Sequence, residues 1–350
     1  MEFGSFMEFS PRPGGNQADA FAEAFNHVRQ AEQQGLDAIW LSESHFSPER
    51  SLMASPLIVA AAVGGATSRI KIGTAVNLIP LENPLRLAEE VASLDHVCEG
   101  RFEFGIGRSS APGSYEGYGI PYAESRDRFF ECLDILKCAW TEDRFSYHGR
   151  FFDYDNVRVT PKPRQQPYPL VRIAATTDET FPQIGAMGAP IFIGLRTAGL
   201  GRVEQQVESY KRAWREAGHA GTPDIALRLP VYVADTESAA VSEPEQSFMR
   251  QFRRLGGQLA ETAASTAGAN NSAERQKNSQ ALQTLTWDVV QEEKVAVGTP
   301  RTVVERLTEI GERLSLSSVI AEFNAGEQVP AEAVSRSLRL FCEEVAPALR

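Results

Sequence analysis

Strand-like and helix-like stretches alternate along almost the whole chain, and this alternation restricts its fold more than any other feature. Each short apolar stretch is followed by a longer one whose apolar residues recur at helical spacing. The predicted strands are 2–8, 38–41, 70–76, 102–106, 170–174, 190–194, 226–233 and 318–323, and the predicted helices are 18–34, 56–66, 84–98, 124–140, 178–187, 202–217, 302–314 and 332–349. Eight strand–helix repeats favour an α/β fold, a (β/α)8 TIM barrel, over an open doubly wound sheet.

Two segments depart from this repeat within what we expect to be a single domain, 1–350. Residues 147–159 alternate aromatic and polar side chains, which predicts a hairpin before the fifth strand. Residues 242–291 form a long insertion after strand 7, and their middle part, 260–280, has few bulky apolar side chains. Such a segment buries little surface, so we expect it to be mobile. It is either a solvated helical spacer or a lid over the barrel mouth.

Composition excludes several kinds of partner. The 350 residues carry a net charge of −11, which makes duplex nucleic acid and anionic membranes poor partners. No apolar run approaches the roughly 18 residues of a membrane span, and residues 1–19 lack the basic and apolar regions of a signal peptide. The four cysteines form no CxxC pair. We therefore expect a cytoplasmic protein with reduced cysteines and no metal site.

The segment 83–108 is predicted to form a helix, a turn, a strand and a loop in succession. Gly100 suits the end of the helix, and the strand that follows ends in a glycine-rich tip. Gly105 and Gly107 permit close backbone approach, and Arg108 supplies a bidentate donor for an anion.

Catalytic side chains of (β/α)8 enzymes collect at the C-terminal ends of the strands. The side chains predicted there include one histidine, His45, one carboxylate, and two arginines, Arg108 and Arg196. They contain no acid–base pair of carboxylates and no Ser-His-Asp order. His45 is the best acid–base candidate, because imidazole titrates near neutral pH. The alternative is a histidine that is packed under a cofactor or hydrogen-bonded to the backbone.

Blocks distributed over nearly the whole chain closely resemble the bacterial luciferase-like family of flavin-dependent monooxygenases, in its alkanal monooxygenase α-subunit branch. These blocks are MEFGSF, DAIWLSESHF from Asp37, KIGTAVNLIP from Lys71, NPLRLAEEVASLDHVCEGRFEFGIGR from Asn83, VGTP from Val297, SVIAEFNAGEQVP and SLRLFCEEVAPAL. The resemblance implies a barrel that binds reduced FMN (FMNH2), which reacts with O2 to give a C4a-peroxyflavin. That species would oxygenate a small, largely apolar organic substrate. A separate NAD(P)H:flavin reductase would supply the reduced flavin.

The resemblance also implies which residues hold the flavin phosphate. Arg108 matches the family arginine beside the phosphate, and Thr176 matches a hydroxyl residue that contacts it. Thr177 shares the same turn, and Ala175 stands where the branch has an acidic residue, so only backbone contact is implied there. The alternatives are a salt bridge at the rim for Arg108 and a plain N-cap for Thr177.

Further matches and mismatches concern the flavin ring and the catalytic base. Ala75-Val76 matches a non-prolyl cis peptide under the isoalloxazine ring. Ser44 stands where the branch has its catalytic histidine, and His45 aligns with the second histidine of that pair. Leu195 replaces a tryptophan of the branch. Light emission from a long-chain aldehyde is therefore not expected.

Two other functions remain open. The first is an F420-dependent oxidoreductase on the same barrel, whose acidic cofactor tail usually requires further basic residues at the mouth. We find few such residues in the sequence, which favours FMN. The second is a non-catalytic flavin-binding subunit, which the serine at position 44 would allow.

The helix predicted at 56–66 indicates the quaternary state. Its sequence, PLIVAAAVGGA, is apolar on almost every face, whereas a helix on the surface of a barrel should have a polar face. Cover on both sides is therefore expected, either by other helices of the same chain or by a second chain. The resemblance implies the second arrangement, and we expect a homodimer.

Overall fold

The computed structural model describes residues 1–12, 14–48, 50–265 and 272–350. Its strands are β1 Glu2–Met7, β2 Ala38–Leu41, β3 Lys71–Thr74, β4 Phe102–Ile106, β5 Phe145–His148, β6 Asp153–Val157, β7 Val171–Ala174, β8 Ile191–Gly194, β9 Ile225–Val233, β10 Ala296–Gly298 and β11 Ser318–Glu322. Its α-helices are α1 Gln17–Gln33, α2 Pro56–Ala66, α3 Pro84–Val97, α4 Pro112–Gly117, α5 Ser125–Thr141, α6 Thr180–Met187, α7 Leu200–Glu216, α8 Glu237–Ser265, α9 Ser272–Gln283, α10 Trp287–Glu293, α11 Pro300–Leu314, α12 Ala331–Leu340 and α13 Ala346–Leu349. Short 3-10 turns occupy Ile79–Leu81 and Tyr122–Glu124, and a π-helical turn occupies Phe341–Val345.

Eight parallel strands close into a barrel, which confirms the predicted TIM-barrel fold. Their order is β1, β2, β3, β4, β7, β8, β9 and β11, and β11 pairs again with β1. Gly4 of β1 lies opposite Ile320 on one side and Ala38 on the other, so both edges of this strand are paired. Helices surround the barrel, and the C-terminal ends of all eight strands open at one end, here called the mouth.

Six apolar side chains fill the barrel interior: Phe6, Ala38, Trp40, Phe192, Ala226 and Ile320. The indole of Trp40 fits because its neighbours are glycines. A Cβ atom on Gly73 would lie 2.3 Å from this ring, and one on Gly4 would lie 2.6 Å from it. Phe192 meets Trp40 edge to face, with ring centroids 5.0 Å apart. The interior is therefore a packed core and not a pore.

Three features refine the prediction. The expected hairpin is formed by β5 and β6, and it begins at Phe145, two residues before the predicted segment. Strand β10 was not predicted, since three residues are too few to show a period; it pairs with the end of β9, with Ala296 opposite Val231. Helix α6 begins at Thr180 and not at 178.

The insertion after β9 contributes α8, α9 and α10, and α8 crosses the mouth. In its first half, the Ser247 hydroxyl donates to the carbonyl of Ala325, after β11, at 2.6 Å. Near its end, the Thr262 hydroxyl donates to the carbonyl of Ser110, after β4, at 3.3 Å. The part of the expected mobile segment at 266–271 lies outside the described residues. No described helix is long and apolar enough to cross a membrane.

Candidate active site

Small apolar side chains form the floor of the mouth. Ala75 and Val76 follow β3 and Ala174 ends β7, and all three pack on the interior cluster while remaining partly exposed. The Ala75–Val76 peptide bond is cis, as the resemblance implied. A Cβ atom on Gly107 would lie 2.4 Å from Cγ2 of Val76, so this glycine allows the end of β4 to approach the cis peptide. A shallow apolar surface of this kind suits one face of an aromatic ring system.

Arg108 lies half-buried at the rim, directly after β4. Its carbonyl accepts a hydrogen bond from the hydroxyl of Tyr115, which holds the turn. Within the described ranges its guanidinium makes no hydrogen bond or ion pair. A rim salt bridge between this arginine and a described residue is therefore not formed. No described residue accepts from its donors, which suit an anionic ligand.

The turn after β7 holds the other three predicted cofactor residues. Thr176 is exposed, whereas Thr177 is half-buried and its hydroxyl shares a 2.6 Å hydrogen bond with that of Thr180. Thr177 is not the N-cap of α6, since that helix begins at Thr180 and its N-cap position is Glu179, whose side chain makes no capping hydrogen bond. Ala175 is buried, and its N–H donates to the carbonyl of Phe192 at 2.9 Å. A ligand could therefore contact Ala175 only through its carbonyl or its methyl group.

Arg108 and Thr176 lie just after two neighbouring strands, at the same end of the barrel. Strands β4 and β7 are paired, with Ile106 opposite Ile173. A guanidinium fork and a hydroxyl starting from adjacent strands form a donor set that suits phosphate.

His45 lies in the loop after β2 and is bonded to side chains, not to the backbone. Its Nε2 lies 2.7 Å from Oε1 of Glu43. The other oxygen of this carboxylate accepts from Nδ2 of Asn77 at 2.6 Å and from the N–H of Leu78 at 2.9 Å. Glu43 is thereby fixed against the chain that follows β3, and it fixes the imidazole in turn.

The second ring nitrogen of His45 faces Tyr118. Its Nδ1 lies 3.3 Å from the tyrosine hydroxyl, and the two rings meet edge to face with centroids 5.1 Å apart. Because an ionised carboxylate only accepts, the hydrogen-bond network assigns the proton to Nε2 and leaves Nδ1 as the acceptor. Tyr118 is 51% exposed, so one hydroxyl connects Nδ1 to the mouth. Nδ1 can accept a proton, and Glu43 can stabilise the resulting imidazolium.

The sequence analysis missed a set of charged side chains on the side of the mouth formed by β1, β8, β9 and β11. This set, here called the mouth cluster, comprises Glu8, Arg50, Arg196, Arg228, Arg250, Arg254, Glu322 and Glu327. Glu8 directly follows β1 and Glu322 ends β11, so inspecting every strand end would have found these two. The residues from α8 and the loops carry no comparable sequence signal. The conclusion that the mouth holds few basic residues was therefore wrong.

Comparison with known proteins identifies the family of the chain. A family described as luciferase-like monooxygenase matches residues 1–317. The alkanal monooxygenase alpha chain of the Kryptophanaron alfredi symbiont is 28% identical over 63% of this chain and 61% of its own length, which is less than two thirds.

Solved structures are similar over the whole chain. The oxygenating constituent of 3,6-diketocamphane monooxygenase from Pseudomonas putida, in complex with FMN, has a TM-score of 0.80 at 23% identity and covers 99% of this chain and 98% of its own. The coenzyme F420-dependent tetrahydromethanopterin reductase of Methanopyrus kandleri has a TM-score of 0.74 at 16% identity and covers 100% and 99%. The fold is thus shared by a protein bound to FMN and a protein that depends on F420.

Proposed function

The chain belongs to the luciferase-like monooxygenase family, and from this premise we propose that it is a monooxygenase that uses reduced FMN and O2 to oxygenate a small, largely apolar organic substrate. The observation that supports this most strongly is an apolar floor next to an arginine whose guanidinium no described residue pairs. Ala75 and Val76 contribute to the floor, and the arginine is Arg108. FMN combines an apolar ring system with a phosphate, so one molecule would match both features.

The proposed binding roles follow from the chemistry of each side chain. Arg108 would donate two N–H groups to the phosphate, and the exposed hydroxyl of Thr176 would donate a third bond. Thr177 and Ala175 would line the same turn, while Ala75 and Val76 would lie under the ring. When bound, reduced FMN supplies the electrons that activate O2.

His45 is the proposed acid–base residue. In its neutral form Nδ1 would accept a proton from the reacting groups, directly or through the hydroxyl of Tyr118. Glu43 would hold the ring in this orientation and stabilise the positive charge that develops on it. This arrangement needs no histidine at position 44, where the chain has Ser44.

We propose that the insertion 242–291 serves as the lid. Its first helix, α8, buries Phe248, Phe252 and Leu255, and it is bonded to loops on both sides of the mouth. A cover of this kind would exclude water from a flavin bound in the mouth.

Two partners are proposed. Reduced flavin would come from a separate NAD(P)H:flavin reductase; the similar Pseudomonas putida protein is itself described as an oxygenating constituent. The second partner is another copy of this chain, bound through α2. Ile58 of this helix is 73% exposed, and Val97 at the end of α3 is 50% exposed, so the helices of the same chain leave part of this face uncovered.

An F420-dependent oxidoreductase is the second candidate, and the arginines of the mouth cluster favour it. Most of them, however, are already paired with glutamates, as Arg228 is with Glu322. FMN therefore remains the proposed cofactor, because Arg108 and Thr176 suit one phosphate.

One experiment distinguishes the FMN-dependent monooxygenase from the F420-dependent oxidoreductase. The protein is titrated anaerobically with reduced FMN and then mixed with an oxygen pulse while the absorbance is followed. We expect a long-lived species distinct from both reduced and oxidised flavin. Rapid single-phase reoxidation, as for free flavin, would contradict the monooxygenase, and tight binding of F420 with none of FMN would favour the second candidate.

A further inference from the structure

The mouth cluster contains more positive than negative side chains. Five arginines (Arg50, Arg196, Arg228, Arg250 and Arg254) face three glutamates (Glu8, Glu322 and Glu327). The chain as a whole carries a net charge of −11. A local excess of positive charge at the mouth of an acidic protein is the opposite of what composition predicts, and it indicates a site for an anion.

The three carboxylates are already engaged by arginines other than Arg196. The pairs are Glu322 with Arg228 at 2.8 and 3.0 Å, Glu8 with Arg50 at 2.5 and 3.0 Å, and Glu327 with Arg254 at 2.6 and 2.7 Å and with Arg250 at 2.7 Å. The Arg228 pair is bidentate, so each oxygen of the Glu322 carboxylate accepts a hydrogen bond from the guanidinium. Burial raises the pKa of Glu8, but Arg50 and Arg228 outweigh it and lower that pKa to about 2, so this glutamate remains charged.

Arg196 is the unpaired member of the cluster. It follows β8 by two residues and is half-buried. Its Nε is buried without a hydrogen-bond partner, and in the described part of the chain nothing accepts a bond from its guanidinium. Burial and the like charges of Arg228 and Arg50 lower its pKa to about 9, which leaves it protonated at neutral pH. A cation with a buried donor that lacks a partner is unfavourable unless a ligand completes the site.

Arg196 and Arg108 face different parts of the mouth. The charges that act most strongly on Arg196 belong to β9, β11, β1 and the loop after β2, whereas the proposed phosphate donors leave β4 and β7. Next to Arg196, the guanidinium of Arg228 lies over the ring of Phe6, with its carbon 3.3 Å from the centroid. Phe6 is buried in the interior cluster on which the floor residues pack, so the cationic site and the floor rest on the same apolar core.

We propose that Arg196, with Arg228 beside it, binds an anionic group of the substrate, and that the substrate is a small organic acid with an apolar body. This inference rests on the proposed function, since it specifies the substrate of the same site. The carboxylate would bond to the Arg196 fork, and the apolar body would lie on the floor near Phe6. The flavin phosphate is the other possible source of such an anion.

Matched pairs of acids and amides test the proposal without turnover. Benzoate and benzamide, 3-phenylpropionate and its amide, and octanoate and its amide are titrated into the protein with and without FMN. We expect at least one acid to bind about tenfold or more tightly than its own amide, since a charge-assisted bond is lost in the amide. Arg196→Met should abolish this preference, and Arg196→Lys should retain part of it. Arg301→Met, which removes an 86% exposed arginine, should leave it unchanged.

Two further measurements distinguish a role of Arg196 in binding the acid from a structural role and from a role in binding the flavin phosphate. Arg196→Met should melt at or above the temperature of the unaltered protein, because it removes repulsion with Arg228 and Arg50; a large drop would indicate a structural role and overturn the proposal. FMN should keep its advantage over riboflavin in this variant, and a loss of that advantage would place the phosphate at Arg196 instead. If no acid is preferred while the oxygen pulse still gives a long-lived flavin species, the inference fails and the proposed function stands. If the acid preference depends on Arg196 but FMN does not bind, the proposed function fails and Arg196 is left as an anion-binding residue of another activity.

Discussion

Oε1 of Glu43 lies 2.7 Å from Nε2 of His45, and both side chains are almost completely buried, at 1% and 5% exposure. The second oxygen of Glu43 is held by Asn77 and by the N–H of Leu78. The orientation of the imidazole therefore depends on the chain after β3, the same chain whose cis peptide forms the floor of the mouth. The proposed proton acceptor is therefore anchored, through Glu43, to the segment that forms the proposed ring site.

We predict that His45→Ala lowers the rate of the oxygenation step by about 10²-fold or more, the lower end for loss of a general acid or base. Flavin affinity should stay within about threefold, or roughly 0.7 kcal/mol. Glu43→Gln should lower the same rate, because the amide no longer fixes the proton on Nε2. Stopped-flow kinetics, starting from the preformed complex of each variant with reduced flavin, measures the two oxygenation rates.

Ser44→Ala is the control for these two variants and should change the rate much less. If His45→Ala instead fails to bind flavin while its oxygenation rate per bound flavin is unchanged, the histidine has only a structural role.

Arg108→Ala should weaken binding of reduced FMN by about 1–3 kcal/mol, the range for a lost charge-assisted contact. Thr176→Ala should cost less, about 0.5–1.5 kcal/mol for a neutral hydrogen bond. Riboflavin, which lacks the phosphate, is the control ligand, and both variants should lose part of the preference for FMN over riboflavin. An unchanged preference would mean that the phosphate binds elsewhere.

A third prediction concerns Glu82, half-buried between the 3-10 turn and α3. Burial, together with the charges of Glu43 and Glu90, raises its pKa from 4.5 to about 7. Between these two pH values the folded state binds more protons than the unfolded state, so this residue lowers stability as pH rises and adds no further change above about pH 7. The full shift would correspond to about 3 kcal/mol, which partial exposure reduces to about 1–2 kcal/mol.

Glu82→Gln should therefore raise the free energy of unfolding by about 1–2 kcal/mol at pH 8 and change it little at pH 5. Urea unfolding at both pH values, at one protein concentration, measures the difference. Glu312→Gln, on the exposed face of α11, should have the same small effect at both. A Glu82→Gln effect that is equal at pH 5 and pH 8 would exclude the raised pKa.

The barrel could be predicted from sequence because each strand–helix repeat is a local pattern. Alternation along β1 and β2 directs Phe6 and Trp40 inward, and the helices that follow have their own apolar faces. Strand β10 could not be predicted, since only its pairing with the already formed β9 makes its three residues a strand.

The site was predictable where one residue determines the chemistry. His45 and Arg108 stand at strand ends, and their positions follow from the barrel alone. The hydrogen-bond partner of His45 was harder to predict. Nothing in the sequence distinguishes Glu43 from other acidic residues, and its role depends on the folded loop that brings it to Asn77. The mouth cluster depends on α8, which comes from an insertion whose packing no local pattern specifies.

The last prediction is the homodimer through α2. Ile58 is 73% exposed on a helix that has no charged residue, and Ala62 and Gly65 beside it are also exposed. Small side chains would allow a second helix to approach closely, and a stable interface of this kind would bury well over ~1,200 Å2 in total. Light scattering at low micromolar concentration should give a mass of about 77 kDa, twice the 38.4 kDa of one chain.

Ile58→Glu should shift the measured mass to that of the monomer, because a charge would be buried at the interface without a partner. Val289→Glu, at an exposed apolar residue of α10, should leave the dimer intact. A soluble monomer, or a dimer that tolerates Ile58→Glu, would contradict this assembly.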